Sequence, residues 1–75
     1  MGVMRVLGSM GDSEFRWDLD SGVGLQSAER FFEESTRYSG YLAFVEGPNG
    51  EGTERIRRFD PTVESIILAP RLVGG

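Results

Sequence analysis

Glu64-Ser65-Ile66-Ile67-Leu68-Ala69-Pro70-Arg71-Leu72-Val73-Gly74-Gly75 is the stretch on which the reading of this chain turns. Ile66, Ile67 and Leu68 are apolar at every position instead of alternating with polar residues. Such a run suits a strand covered on both faces, at the centre of a sheet. Pro70 has no N–H for a further ladder bond, so strand pairing is expected to stop there. The chain then divides into a domain of residues 1–70 and a flexible tail of residues 71–75. Neither Gly74 nor Gly75 has a Cβ, which leaves an unhindered acyl carbon and lets the backbone take φ values that other residues avoid.

Working outward, the composition bounds what the domain can do. The 75 residues include no Cys and no His. Disulfides, thiolate metal sites and imidazole or thiol catalysis are therefore excluded. Twelve acids against eight bases give a net charge of −4, unlike the basic surface of a nucleic-acid binder. All eight bases are arginine. No stretch approaches the length of a membrane span and no basic segment with an apolar core opens the chain, so no membrane partner and a cytoplasmic location are expected.

Residues 3–7 (V-M-R-V-L) read as a short, mostly buried strand, and Gly8, Ser9 and Gly11 supply turn chemistry. Residues 13–20 carry the clearest period-2 pattern. Phe15, Trp17 and Leu19 fall on one face, and Glu14, Arg16, Asp18 and Asp20 on the other. The two strands form an expected hairpin with one core face. The period then changes. Leu25, Ala28, Phe31, Phe32, Ser35 and Tyr38 recur at helical spacing, which predicts a helix over 25–39 with Gly40 as the residue that ends it. Residues 41–46 read as a strand, residues 47–52 (G-P-N-G-E-G) as a turn, and residues 53–59 as a charged edge strand broken by Asp60-Pro61-Thr62. With the helix across one face of a mixed four- to five-stranded sheet, the last strand can lie parallel to the first at the centre. The expected fold class is α+β, in a β-grasp arrangement.

On this pattern, and on Pro70-Arg71-Leu72-Val73-Gly74-Gly75, the chain resembles the ubiquitin-like β-grasp superfamily, including the small sulfur carriers of molybdopterin and thiamine synthesis. Ubiquitin's ending Arg-Leu-Arg-Gly-Gly is matched by Arg71, Leu72, Gly74 and Gly75 and departs at Val73. The molybdopterin carriers end in a strand, a proline, a short apolar stretch and Gly-Gly, which is similar to residues 66–75. A ubiquitin-like tail-assembly protein of some phages has a comparable ending, and its helix region is loosely similar to residues 27–41.

The resemblance implies a protein that is not itself an enzyme. An adenylating activating enzyme, using ATP and Mg²⁺, would activate the carboxylate of Gly75, with Gly74 beside it and with Arg71, Leu72 and Val73 read by that enzyme. The carrier would need no cofactor of its own. It also implies a recognised surface on the sheet face opposite the helix, where position points to Leu42, Phe44 and either Ile66 or Leu68. Ordinary core packing is the competing reading for each, because alternation in these strands is too weak to assign faces.

Three functions fit. The first is a protein modifier of a bacterial or phage-related pathway, passed through thioesters, with a conjugating enzyme and a deconjugating protease as further partners, to an amine on a target protein. The second is a sulfur carrier bearing a C-terminal thiocarboxylate. The third is a non-covalent interaction or phage tail-assembly module. The absence of lysine favours a modifier that must not link to itself, although a genome biased toward arginine would leave the same mark.

Overall fold

A computed structural model describes residues 1–8 and 13–70. The elements run β1 (Gly2–Val6), β2 (Ser13–Trp17), α1 (Leu25–Tyr38), β3 (Leu42–Glu46), β4 (Gly52–Ile56) and β5 (Ser65–Ala69). The five strands form one sheet in the order β2-β1-β5-β3-β4. β5 is central, parallel to β1 and antiparallel to β3, while β1–β2 and β3–β4 pair as antiparallel hairpins. This is an α+β fold consistent with a β-grasp.

The central place of β5 follows from its composition. Ile66 and Leu68 are fully buried and Ile67 is only 5% exposed, so both faces of the strand are covered. The ladder ends at Ala69, opposite Leu42, immediately before Pro70. The hairpin β1–β2 puts Met4, Val6, Phe15 and Trp17 on one face, and α1 covers that face with Ala28, Phe32 and Ser35. These helix residues are spaced four and three apart, which keeps them on one side of the cylinder. At the end of α1 the chain reverses through Gly40 at φ +71°, and the Tyr41 amide donates across it to the Ser35 carbonyl at 3.0 Å. That backbone conformation and that bond satisfy a terminal carbonyl in the manner of a Schellman end.

Trp17 is the largest fully buried side chain. Its register partner on β1 is Gly2, and a Cβ placed on Gly2 would overlap the indole ring. The ring meets Phe59 edge-on at 5.1 Å between centroids, and Phe59 in turn meets Phe32 at 5.7 Å. The indole Nε1–H donates to the Pro61 carbonyl at 3.0 Å. That carbonyl is held by an Asx-type turn in which the Thr62 amide and hydroxyl both donate to Asp60 Oδ1, at 3.0 and 2.6 Å. Residues 60–62 therefore do more than interrupt a strand.

The structure corrects several expectations. β2 ends at Trp17, and Leu19, placed on the core face by alternation, is 47% exposed in the turn that follows. Tyr38, expected on the inner side of the helix, is 78% exposed in its last turn. The edge strand stops at Ile56 rather than running through 59, which frees Phe59 to turn into the core. The expected tail, residues 71–75, lies outside the described residues.

Two outcomes follow from the aromatic cluster. Trp17→Ala should lower unfolding free energy by about 3–5 kcal/mol, a large share of the stability of so small a domain, whereas Trp17→Phe should cost less but still leave the Pro61 carbonyl without its donor. Chemical denaturation of the three proteins checks this, and an unchanged midpoint for the alanine variant would contradict the packing. The hydrogen bonds from the Thr62 hydroxyl, and then from the Thr62 amide, lower the Asp60 carboxyl below its ordinary value. A depressed carboxylate contributes stability at pH values above its unfolded value and loses it as pH falls through the folded one. Melting temperature should accordingly drop in acid, and Thr62→Val should flatten that acid limb.

Candidate functional site

Strand alternation fixes what the sheet presents on the side away from α1. Ala43 and Ile56 face the helix, so Leu42, Phe44 and Glu46 of β3 and Arg55 of β4 face away. Met4 and Val6 likewise send Val3 and Arg5 outward, and Ile66 and Leu68 send Ser65, Ile67 and Ala69 outward. The register arranges these in rows across the sheet. Leu42 lies beside Ala69, Phe44 lies beside Ile67 with Arg5 on the far side, and Ser65 lies beside Val3.

This layout sorts the residues singled out from the sequence. Leu42 and Phe44 are on the open face and half-buried. Leu68 and its alternative Ile66 are not: both are fully buried under α1. Their neighbour Ile67 occupies the corresponding place on the open face, flanked in register by Phe44 and Arg5. The reason is parity. Three consecutive aliphatic residues satisfy either face assignment, and only the pairing of β5 with β1 and β3 decides between them. Arg71, Leu72, Val73, Gly74 and Gly75 fall outside the described residues. The last described residue, the exposed Pro70, follows the Leu42–Ala69 row, so the apolar row lies at the end of the sheet from which the chain departs.

The other end of the open face is polar. Arg5 reaches across β5 to Glu46, with 3.1 Å between Nη2 and Oε2. Two strand spacings, about 10 Å, separate β1 from β3, a span that a long arginine side chain can bridge while its stem covers apolar surface. Ser65 Oγ donates to the other Glu46 oxygen at 2.9 Å. One carboxylate thus joins three strands. The Nε of Arg5 is buried without a hydrogen-bond partner among the described residues. No local pattern in the sequence signals this network, since residues 5, 46 and 65 come together only through the sheet order. Among the described residues no group of three or more acidic side chains is placed to hold a metal ion.

Compared with models of protein families, with curated proteins and with solved structures, the chain matches none. The functional reading therefore rests on topology and on the residues themselves.

The two ends of the ion pair should respond differently to substitution. Glu46→Ala leaves a partly buried guanidinium and the Ser65 hydroxyl without their acceptor and should cost about 1–3 kcal/mol. Arg5→Met removes an unsatisfied N–H while keeping an apolar stem, and should change stability by less than about 1 kcal/mol in either direction. Denaturant midpoints of the two variants measure the asymmetry; equal losses would show that the Coulombic attraction dominates.

Proposed function

We propose that this chain is a ubiquitin-like protein modifier whose acyl donor is the Gly75 carboxylate, either as the encoded end or after a protease removes any residues that follow. The observation that carries the reading is the place of β5. The strand that leads to the glycines is the central strand of an α+β sheet consistent with a β-grasp, and its ladder stops at Ala69. The six residues that follow Ala69, fully extended, span at most about 20 Å. That reach lets Gly75 enter a partner's active site while the folded domain stays outside it.

The chemistry would be supplied by partners. The Gly75 carboxylate attacks the α-phosphorus of ATP in an activating enzyme, with Mg²⁺ on the phosphates, and pyrophosphate leaves. A thiolate of an activating or conjugating enzyme then displaces AMP and forms a thioester. An amine on the target protein displaces the thiol, and an amide results. A deconjugating protease would hydrolyse that amide. This chain contributes no catalytic side chain, and without His, Cys or Lys it offers no imidazole, thiol or ε-amine that would intercept the activated acyl group in a cytoplasmic pathway. Gly74 and Gly75 keep the acyl carbon unhindered, and the apolar row at Leu42 and Phe44 would dock beside the departing chain, with Arg71, Leu72 and Val73 between.

Fold and chemistry should be separable. Deleting Gly74 and Gly75 should leave the unfolding midpoint unchanged, because both lie beyond the last ladder pair, yet abolish pyrophosphate release and thioester formation with the cognate activating enzyme. Gly75→Ala should slow both steps, since a methyl beside the reacting carbon crowds attack and narrows the accessible φ. Intact mass of the protein from its native host distinguishes the alternatives. An amide-linked adduct supports the modifier, and replacement of one oxygen by sulfur identifies a sulfur carrier. Full biological activity of the truncated protein would overturn both and leave a non-covalent module.

A further inference from the structure

We propose that β4 and the groove beside it dock an acidic, extended segment of a partner protein, which adds as a sixth strand to the free edge of the sheet. This goes beyond the acyl-donor reading and does not depend on it.

The first observation is an imbalance of charge. Seven of the eight arginines fall among the described residues. Arg5, Arg16, Arg30 and Arg37 each have a carboxylate within 4 Å. Arg55, Arg57 and Arg58 have none among the described residues, and all three are exposed. In a chain of net charge −4, the arginines without a carboxylate among the described residues are thus gathered within four residues at the end of one edge strand. Such a cationic cluster matches an anionic partner.

The second is the groove. Of the strands, β2 is the one that α1 approaches most closely, at the opposite edge of the sheet from β4. The helix-facing flank of β3 and β4 is consequently left open as a groove of about 650 Å³. Its apolar lining includes Phe32, Tyr41, Ile56 and Phe59, and Arg57 and Arg58 line it just beyond the end of β4. β4 itself is exposed from Gly52 to Arg55 and contains no proline, so its outer N–H and C=O groups are open to pairing. The β2 edge is also free of proline, but it differs in charge and in cover. Arg16 is paired with Glu14, and Phe15 is stacked against Phe31 of the helix at 4.5 Å between centroids.

The geometry dictates a pattern in the occupant. Residues of an added strand alternate between the two faces of the sheet. One set would enter the groove beside Ile56, which calls for apolar side chains. The other set would lie beside Arg55 on the open face, which calls for acids, with further acids at the end that meets Arg57 and Arg58. A second copy of this chain is disfavoured, because pairing β4 with β4 brings two arginine clusters together. A nucleic acid is disfavoured by the net charge and by Glu29 and Glu33 on the helix wall of the same groove.

Selection of a displayed library of ten-residue peptides on the full chain tests the proposal. Enrichment of acid-rich sequences with apolar residues at every second position is expected, and no enrichment, or enrichment of basic or uncharged sequences, overturns it. A selected peptide should protect the amides of β4, and not those of β2, from hydrogen exchange. Protection at β2, or binding with no protection at β4, contradicts strand addition. Arg57→Glu with Arg58→Glu should weaken binding by about tenfold or more and recover it for a peptide whose acids are replaced by lysine, whereas Arg30→Glu should have no effect. Unchanged affinity in the double variant, or no recovery with the lysine peptide, sinks the charge argument. A chain lacking Gly74 and Gly75 should bind the peptide normally, so failure here and failure of the acyl-donor reading are separate results.

Discussion

The hydrogen bond from the Trp17 indole to the Pro61 carbonyl, and the burial that makes it necessary, constrains much of the rest of the structure. An indole with its N–H cut off from water costs free energy unless an acceptor is supplied. The acceptor comes from a turn 44 residues along the chain. For that turn to arrive, β4 must stop at Ile56, Phe59 must face inward, and Asp60 must hold the turn through Thr62. The opposite wall of the indole is the backbone at Gly2, where any side chain would collide. One bulky residue thereby fixes a glycine near the start of the chain and a turn just before the last strand.

The two faces of the sheet are held by different forces. Under α1 the contacts are apolar and close-packed, from Met4 and Val6 through Ile66 and Leu68 to Phe32. On the open face the strands are tied at one end by a single carboxylate, Glu46, which accepts from Arg5 and Ser65. At the other end they present Leu42 and Phe44, with Ile67 buried beside Phe44. The polar tie lies at one end of this face, and the apolar part lies at the end next to Pro70. The offset of α1 toward β2 leaves β4, at the far edge, with open backbone and with arginines that have no carboxylate partner among the described residues.

In the proposed acyl transfer this chain, which has no His or Cys, would contribute shape, reach and recognition. Placing the last strand at the sheet centre anchors the departing chain to the most stable part of the fold. Any pull on residues beyond Pro70 would then be resisted by hydrogen bonds on both sides of β5.

Much of the fold was legible in the sequence because the hydrophobic period changes from 2 to 3.6 and back, and because a continuous aliphatic run can be buried only at a sheet centre. Residues 66–68, the helix from Leu25 and the stop at Pro70 are of this kind. The sequence could not assign a face to Ile66, Ile67 or Leu68, since an unbroken apolar run has no parity of its own. Nor could it tell that alternation fails at Leu19, where the strand has already ended and a turn has begun. The partners of Trp17 and the joining of Arg5, Glu46 and Ser65 depend on contacts between residues far apart in the chain. Periodicity is a local property and carries no record of them; the order of strands in the sheet decides which distant residues become neighbours.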